Sequence, residues 1–333
     1  MADHVIKTLG SCNEKEIELI DEFVMGVKSN GEFINSVRFL GYHPKGRFED
    51  DSIAVFDKGS GTVRGFMAAA SLPNEKKTII SHPGTTFAGP IVSRQMSIVE
   101  MEKVFNQMLD YYEAVYERIV LKTLPQIYGG QYFGSVDYYL LRRGYTFGMT
   151  ALANVINIAH IEKEEEILFL YDSAKRNHTK KALKSGLFLF DLKDKIIHPK
   201  IWQAMNNNLN QKFASHTTHT YEEILELQGK FPDKIVPYYV NTHDGEYGAF
   251  ALVFKFKNVF HTQYLDTNYK YTGQYPNLLL IYELIKIARS EGYHIFSFGA
   301  STENGGDFLN TGLYNYKAGY GGGDIILPKF VKG

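Results

Sequence analysis

Two stretches of the chain share one pattern of apolar strands and glycine-containing turns. Residues 51–72 place apolar runs on both sides of the turn at 57–61, and residues 235–257 place similar runs around the turn at 241–245. Short runs rich in β-branched and aromatic residues that flank a polar glycine turn are typical of β-hairpins. In each hairpin the second strand carries an early glycine, Gly65 in one and Gly248 in the other. The sequence therefore predicts two matching hairpins.

The match continues after the hairpins. Each is followed by a strand, a helix and another strand, at 77–82, 97–118 and 118–122 in the first half and at 259–265, 277–291 and 294–298 in the second. Two copies of this order imply mixed sheets with helices packed on them. We predict an α/β (α+β) chain of two tandem domains, 1–160 and 161–333, each with a mixed, mostly antiparallel sheet flanked by helices.

Composition and charge narrow the function classes. The 333 residues are 44% hydrophobic and 22% charged, which suits packed globular domains. Because 36 basic residues face 37 acidic ones, no overall field draws the chain to DNA or to an anionic membrane. Cys12 is the single cysteine, no signal peptide is recognisable, and no apolar run reaches the ~20 residues of a membrane span. We expect a cytoplasmic protein with no metal and no membrane span.

Residues 161–186 join the halves and predict one amphipathic helix. It opens on the acidic run 162–166, and its later part carries Lys175, Arg176, Lys180 and Lys181. This charge order suits the helix dipole. A solvated helix face and a contact with phosphate or tRNA both explain it.

Polar residues follow the apolar elements of the second half. Asn277 reads as the N-cap of helix 277–291, whose free backbone N–H groups can bind an anion. Strand 294–298 runs into Gly299, and Ser301, Glu303 and Asn304 follow at the carboxyl end of the sheet, where ligands of open α/β sheets gather. An ordinary capped helix and a tight surface turn are the alternatives.

Lys317 is the sharpest candidate in this half. A strand-like alternation places Leu313, Asn315 and Lys317 on one face and aromatic residues on the other. A lysine that emerges from aromatic surroundings can stabilise an oxyanion or bind phosphate. A surface lysine whose stem covers apolar residues fits the spacing equally well.

The first half carries its own candidates. The loop 81–90 lies between a strand and a helix and offers hydroxyls, glycines and His82 as a possible base. Arg47 and Asp51 precede the first hairpin, where an ion pair or a strand cap is the alternative. His216 and His219 adjoin the capping box of Thr220 and Glu223, which predicts a helix start and not a metal site. The phosphate loop G-x-x-x-x-G-K-[ST], H-E-x-x-H and G-x-S-x-G are missing from the sequence.

Several motifs together resemble a known family. They are Asn35-Ser-Val-Arg-Phe-Leu40, Arg47-Phe-Glu-Asp-Asp-Ser52, His82 to Gly89, Thr218-His-Thr220, Pro276-Asn-Leu-Leu279, Phe298-Gly-Ala-Ser301 and Tyr316-Lys-Ala-Gly-Tyr320. Over about residues 30–325 the chain resembles the FemAB-like branch of the GNAT acyltransferase superfamily. That branch is built from two GNAT-like domains, in agreement with the repeat.

The resemblance implies an activity and a set of site residues. Members of the superfamily transfer an acyl or aminoacyl group from a thioester or an aminoacyl-tRNA ester to an amine. Lys317 matches the family's carboxyl-terminal lysine, with His82 and Asp51 as further catalytic candidates. The implied donor side is Asn277, Gly299, Ser301, Glu303, Asn304 and Tyr314, and the implied acceptor side is Arg38, Arg47, Thr85 and Thr86.

The sequence departs from the ordinary GNAT pattern at the coenzyme A loop. Tyr271-Thr-Gly-Gln-Tyr-Pro-Asn277 stands where [RQ]-x-x-G-x-[GA] is expected, and the heptad arm of some peptidoglycan-bridge enzymes is missing. Our expectation is an N-acyltransferase that moves an acyl group, from acyl-CoA such as acetyl-CoA, to an amino sugar of a cell-envelope precursor. Aminoacyl-tRNA-dependent transfer to a peptidoglycan precursor and a non-catalytic ligand-binding protein remain the alternatives.

Overall fold

The strands and helices follow the order that the repeat predicts. The computed structural model describes residues 3–130, 133–213 and 216–333. The strands are β1 (His4–Thr8), β2 (Glu49–Asp50), β3 (Ile53–Asp57), β4 (Val63–Met67), β5 (Ala70–Ser71), β6 (Thr78–Ile80), β7 (Ile91–Val92), β8 (Arg118–Lys122), β9 (Thr146–Phe147), β10 (Ala151–Asn157), β11 (Phe188–Asp191), β12 (Ile235–Thr242), β13 (Tyr247–Lys255), β14 (Val259–Thr267), β15 (Ile295–Ala300), β16 (Thr302–Glu303), β17 (Phe308–Leu309), β18 (Gly323–Leu327) and β19 (Lys329–Lys332). The helices are α1 (Glu14–Met25), α2 (Val37–Leu40), α3 (Ile98–Val115), α4 (Ser135–Arg142), α5 (Glu164–Leu170), α6 (Ser173–Ser185), α7 (Pro199–Phe213), α8 (Tyr221–Lys230), α9 (Pro276–Ser290) and α10 (Thr311–Ala318).

The chain divides into two compact units. The N-terminal unit contains the residues up to Ala151 together with Gly305–Asp307 and Ile326–Gly333. The C-terminal unit contains Leu152–Asn304 and Phe308–Ile325. The division therefore falls near the predicted boundary at residue 160, but the last strand, β19, belongs to the N-terminal unit, where it pairs with β8 and β9.

The N-terminal unit contains the first predicted hairpin. β3 and β4 pair antiparallel, and α3 covers them with a buried stripe of apolar side chains. β6 and β8, on either side of α3 in the sequence, pair parallel. The apolar run that follows the turn at 57–61 is expected to form one strand up to residue 72, but it forms two. The chain steps from β4 to β5 at Ala68 and Ala69, where Ser52 Oγ accepts the N–H of Ala69.

The C-terminal unit contains a larger sheet. Its described strands lie in the order β11-β12-β13-β14-β15-β10-β18. The nearly all-apolar helix α9 packs against this sheet, and Leu284, Ile285 and Ala288 are fully buried. β14 and β15, before and after α9, again pair parallel. The repeat of hairpin, strand, helix and strand is thus confirmed within each unit.

The two early glycines of the hairpins also have matching roles. The pairing of β3 with β4 shifts register beside Gly65, and that of β12 with β13 shifts beside Gly248. A Cβ atom on Gly65 would lie 2.7 Å from Val104 of α3, and one on Gly248 would lie 2.8 Å from Phe188. Each glycine thus lets a neighbouring element pack closely at a β-bulge.

The predicted single helix at 161–186 is wrong. The chain forms α5 and α6, separated by Tyr171 and Asp172, because the Asp172 carboxylate accepts the N–H of Lys175 and starts a new helix. No helix among the described residues is long and apolar enough to cross a membrane.

Candidate functional site

A gap opens between two neighbouring strands of the C-terminal unit. β14 and β15 pair only over three positions, and the last pair is His261 with Ser297. Beyond it the strands continue to Thr267 and Ala300 without further mutual pairing among the described residues. At the last pair His261 Nδ1 lies 3.0 Å from Ser297 Oγ. Polar side chains therefore line the point where the strands separate.

Lys317 reaches this point from α10. The strand-like alternation predicted around it is wrong, because Asn310 caps a helix by accepting the N–H of Leu313 at 2.9 Å. The Lys317 ammonium donates to the carbonyl oxygens of Gly299 at 3.2 Å and Ala300 at 2.5 Å. The side chain is only 7% exposed, so it is not a surface lysine. Burial lowers the pKa of Lys317 to about 8, and the ammonium remains charged at neutral pH.

Gly299 adjoins both the Lys317 ammonium and the His261 ring. Its φ of +72° is left-handed, and a Cβ atom there would lie 3.0 Å from Cε1 of His261. Burial, and then the positive charge of Lys317, lower the pKa of His261 to about 4. The imidazole is therefore neutral at pH 7. A cation, a neutral imidazole and a hydroxyl surround one glycine.

Ser301 and Asn154 fix the other side of Gly299. Asn154 of β10 is the pairing partner of Gly299, and its Oδ1 accepts a hydrogen bond from Ser301 Oγ at 2.6 Å. The Ser301 N–H donates to the carbonyl oxygen of Leu152 at 2.8 Å. These bonds hold the turn that carries both acceptors of the Lys317 ammonium.

The glycines after Lys317 are required by packing. A Cβ atom on Gly321 would lie 1.8 Å from the carbonyl oxygen of Leu170, and one on Gly322 would lie 2.1 Å from that of Val155. Gly319 accepts the N–H of Asp172 at 2.9 Å. The glycine run thus docks the end of α10 against α5, α6 and β10.

The remaining predicted donor residues are spread around this centre. Asn277 is not the N-cap of α9, since Tyr275 caps it and Pro276 is the first helical residue; the Asn277 side chain donates to Tyr316 Oη at 3.0 Å. Tyr314 donates to Asp324 at 2.5 Å. Glu303 is exposed and accepts from Asn310, and Asn304 is exposed.

The start of α9 does not fit the pyrophosphate of coenzyme A. Pro276 has no N–H, and the N–H groups of Leu278 and Leu279 both donate to the carbonyl oxygen of Tyr275. Among the first four residues of α9, the backbone N–H of Asn277 is the one that has no hydrogen-bond partner in the part of the chain that the structure describes. A pyrophosphate cradle needs several converging N–H groups.

A basic helix lies beside this region. α6 carries Lys175, Arg176, Lys180, Lys181 and Lys184 and no acidic residue. The Lys175 ammonium lies 5.2 Å from the ring centres of both Tyr316 and Tyr320 of the α10 segment. His178 stacks on Tyr275 at 4.2 Å between ring centres, and the Lys181 ammonium lies 5.7 Å from the same ring.

The basic side chains of α6 differ in their contacts and in their exposure. Arg176 donates to the carbonyl oxygens of Leu168 and Tyr171 and thereby caps the end of α5. Lys180, Lys181 and Lys184 are exposed. The exposed lysines extend as a positive face from the cap of α9, where Tyr275 lies.

Comparison with known proteins identifies the segment that holds this centre. Residues 176–318 match the family described as acetyltransferase (GNAT) domain. This segment, which contains Lys317, Gly299 and His261, is therefore similar to GNAT acetyltransferase domains. The sequence has no match among curated proteins.

Solved structures extend the likeness to the whole chain. A structure of FemX superposes with a TM-score of 0.69 at 13% identity and covers 95% of each chain. The C-terminal domain of a putative lysylphosphatidylglycerol synthetase from Agrobacterium fabrum gives 0.59 at 13% identity, over 97% of this chain and 92% of that one. A tandem GNAT protein from the clavulanic acid biosynthesis pathway gives 0.54 at 11% identity, over 99% and 98%.

These comparisons confirm two predictions. The family match and the likeness in fold to FemX agree with the predicted resemblance, and the fold is that of two tandem GNAT-like domains. Lys317 and the six donor-side residues all lie in the C-terminal unit.

Three candidate residues of the N-terminal GNAT-like unit, His82, Thr85 and Thr86, lie on the loop after β6. His82 is buried with a φ of +40°, and its ring stacks on His43 at 5.2 Å. Burial, followed by the charges of His43 and Lys122, lowers the pKa of His82 to about 3. Its Nδ1 accepts the N–H of Gly84 at 3.2 Å. His82 is therefore neutral and holds the turn.

Lys122 organises this loop. Its ammonium donates to the carbonyl oxygens of Pro83 and Thr85, and its backbone oxygen accepts the N–H of Ala88 at 2.9 Å. Thr85 is buried and its hydroxyl donates to the carbonyl oxygen of His82. The next residue, Thr86, is exposed.

The other two acceptor-side candidates precede the loop in sequence. Arg47 is half-buried, with Nη1 lying 3.4 Å from Nδ1 of His43. Arg38 is exposed, and its backbone N–H donates to Asp21. His43 thus links Arg47 to the His82 ring, while Arg38 lies on α2.

Asp51 has a structural role. Its carboxylate accepts hydrogen bonds from the hydroxyls of Tyr111 at 2.8 Å and Tyr116 at 2.9 Å, and its backbone oxygen accepts one from Tyr112. Burial, and then the bond to Asp51, raise the pKa of Tyr111 to about 12. The aspartate therefore ties α3 to the strand region before β3.

We expect the Asp51→Ala substitution to lower the free energy of unfolding by about 1–3 kcal/mol, because it leaves two tyrosine hydroxyls without their acceptor. Removing both hydroxyls as well, in the triple variant with Tyr111→Phe and Tyr116→Phe, recovers part of this loss. Urea unfolding measures both effects. Unchanged stability together with lost turnover would assign Asp51 to catalysis.

Two features of the site escaped the sequence analysis. His261 lies in β14 and Asn154 lies in β10, and nothing in the local sequence distinguishes either from the other polar residues of its strand. The described residues contain no cluster of three or more His, Cys, Asp or Glu side chains that could hold a metal ion.

Proposed function

We propose that this protein transfers an aminoacyl group from the 3′ end of a tRNA to an amine of a cell-envelope precursor. The observation that carries the proposal is the buried ammonium of Lys317 at the open end of the gap between β14 and β15. A fixed positive charge with little water around it stabilises an anion formed beside it.

The chemistry needs little besides this charge. The amine nitrogen forms a bond to the ester carbonyl carbon, and the carbonyl π electrons move to oxygen, next to the Lys317 ammonium. The amine nitrogen loses a proton in this step, and the proton passes to the ribose oxygen of the donor, because His261, with a pKa of about 4, is too weak a base to keep it. When the intermediate collapses, the bond to the ribose oxygen breaks, and that oxygen takes up the proton. An amide and a free 3′ hydroxyl result.

Two observations support a tRNA ester as the donor. Lys180, Lys181 and Lys184 of α6 are exposed, and the Lys181 ammonium lies beside the ring of Tyr275 at the start of α9. The start of α9 offers few N–H groups for the pyrophosphate of coenzyme A. Polyanion binding at such a face does not require a net positive charge on the whole protein.

Transfer from acetyl-CoA to an amino sugar is the second candidate. It is favoured by the description of the matching family as an acetyltransferase domain. In either case the acceptor is an amine, and the acceptor-side candidates Arg38, Arg47, Thr85, Thr86 and His82 remain proposals for its binding. A cytoplasmic location would give access to both donors.

Salt-dependent binding tests the donor. We expect the triple variant Lys180→Gln, Lys181→Gln, Lys184→Gln to weaken binding of aminoacyl-tRNA and to reduce the slope of log K against log salt by about 2. Fluorescence anisotropy with labelled aminoacyl-tRNA at several salt concentrations measures the slope.

A matched control separates local from overall charge. The triple variant Lys15→Gln, Lys28→Gln, Lys45→Gln removes the same charge from exposed positions of the N-terminal unit and should leave the slope unchanged. If both triple variants lower the slope equally, or if the wild type binds no tRNA, the tRNA donor is rejected. Saturable binding of acetyl-CoA would then favour the second candidate.

A further inference from the structure

A buried amide donor lies beside the turn that holds the Lys317 ammonium. Asn154 is 2% exposed and pairs across the sheet with Gly299, whose carbonyl oxygen accepts from Lys317. Ser301 Oγ donates to Oδ1 of Asn154 at 2.6 Å. Nδ2 of Asn154 is buried and has no hydrogen-bond partner in the part of the chain that the structure describes.

An open donor of this kind is unusual. Nearly all buried polar groups in folded proteins have a partner, because an unpaired one has lost its bonds to water without replacement. With Oδ1 facing the Ser301 hydroxyl, Nδ2 points away from Ser301. The chain therefore maintains an amide N–H group with no acceptor of its own.

The surroundings of this donor suit a carbonyl oxygen. Gly299 has no side chain, and the Lys317 ammonium, Asn154 and His261 all adjoin this one residue. The Asn154–Gly299 pair lies at a register shift between β10 and β15, which falls between Asn154 and Val155. Bulges of this kind often re-aim a side chain beside an active site.

We infer that Asn154 Nδ2 is the second hydrogen-bond donor for the carbonyl oxygen of the acyl donor, beside the ammonium of Lys317. This inference rests on the function proposed above. As the amine nitrogen bonds to the carbonyl carbon, the π electrons move to the oxygen, which becomes negatively charged. The Asn154 amide and the Lys317 ammonium both donate hydrogen bonds to this oxygen and stabilise its charge. When the bond to the leaving oxygen breaks, the pair returns to the carbonyl. Asn154 itself gains and loses no proton.

The test uses a stable donor analogue. The probe is an aminoacyl group joined by an amide bond to 3′-amino-3′-deoxyadenosine, which keeps the carbonyl oxygen but is not consumed. We expect Asn154→Ala to bind the probe about tenfold more weakly than the wild type, as the loss of one hydrogen bond implies. Asn154→Asp keeps the shape and the acceptor for Ser301 but lacks the donor, so it should bind at least as weakly. Calorimetry measures both affinities.

Two controls protect the result from changes in folding. Asn157→Ala removes the same residue type from an exposed position of β10 and should bind the probe like the wild type. In ¹⁵N spectra of the unmodified protein, the Asn154 side-chain amide signal, identified by its loss in Asn154→Asp, should shift when the probe binds. This readout needs no substituted protein in the binding step.

The possible outcomes separate the two proposals. Wild-type binding that the Asn154 variants retain in full, with no shift of the amide signal, overturns the inference and leaves the proposed function standing. A wild type that does not bind the probe at all overturns both. Weaker binding by both variants, together with the shift, supports both.

Discussion

Replacing Lys317 by methionine is expected to lower the rate of aminoacyl transfer by about 10²- to 10³-fold while the protein stays folded. This is the usual effect of removing one donor from an oxyanion site. Two backbone carbonyl oxygens hold the ammonium, and the Lys317 side chain is only 7% exposed. Because little water reaches this position, water cannot stabilise the oxyanion in place of the ammonium when methionine replaces the lysine. Single-turnover rates of the wild type and the variant measure the loss.

The pH dependence of the wild type should report the same group. Since the pKa of Lys317 is about 8, the charge needed for transfer is lost as the pH rises through 8, and the rate should fall on that side. Lys286→Met on α9 removes a lysine that pairs with Glu283 and Glu164 outside the site, and it should leave the rate unchanged. A Lys317→Met protein with full turnover would rule out this role, and with it the proposed mechanism.

Lys317 should also make stability depend on pH. Burial lowers its pKa from 10.5 to about 8, so the folded protein loses this proton before the unfolded chain does. Between pH 8 and 10.5 the unfolded state binds more protons, and stability therefore rises with pH. The charged lysine destabilises the fold below pH 8, and this cost disappears as the pH rises towards 10.5.

The effect is large enough to isolate by difference. The difference between a pKa of 10.5 in the unfolded chain and one of about 8 in the folded protein corresponds to a change of about 3 kcal/mol in the free energy of unfolding. Relative to Lys317→Met, the free energy of unfolding of the wild type should rise by up to this amount between pH 8 and 10.5. Urea unfolding of both proteins at a series of pH values measures the difference, in which the other titrating groups cancel. A constant difference would show that the ammonium is not desolvated.

A buried lysine with such a cost is expected at a functional site. Natural proteins keep destabilising groups chiefly where activity needs them. Lys122 of the N-terminal unit provides a contrast, because burial lowers its pKa to about 7 while its ammonium donates to the loop carbonyl oxygens of Pro83 and Thr85. A lowered pKa alone therefore does not identify a functional lysine. At Lys317 it supports a functional role because the ammonium also lies at the gap between β14 and β15.

The repeated architecture was accessible to sequence analysis because it depends on local patterns. Apolar strands around a glycine turn, followed by a strand and an apolar helix, predict the hairpins of both halves, and Gly65 and Gly248 mark their bulges. The pairing of β19 with β8 was not accessible, because a short strand at the end of the chain carries no signal for a partner some 200 residues away.

The sequence identified Lys317 as a candidate residue but predicted the wrong secondary structure around it. The sequence placed it near Gly299 and Ser301, but as part of a strand, because residues 313–317 alternate as well as they repeat along a helix. The cap at Asn310 decides for the helix. Similarly, Asp172 divides the predicted helix 161–186, since an N-cap within a polar stretch is hard to distinguish from a residue on a solvated face.

His261 and Asn154 could not be found from the sequence. Each lies in a strand that carries other polar residues as well, and its importance comes from a neighbour on another strand, Ser297 for His261 and Gly299 for Asn154. The bulge that aims Asn154 results from pairing between distant segments. Such positions become visible only after the sheet is assembled.

The central claim is most directly tested by mass spectrometry of the transfer reaction. Purified protein is incubated with bulk aminoacyl-tRNA or with acetyl-CoA and a panel of nucleotide amino sugars and peptidoglycan-precursor peptides. Our account predicts a product heavier by one aminoacyl residue, formed only with the tRNA donor and lost in Lys317→Met. An acetylated product from acetyl-CoA alone, or an aminoacyl product formed equally well by Lys317→Met, would contradict it.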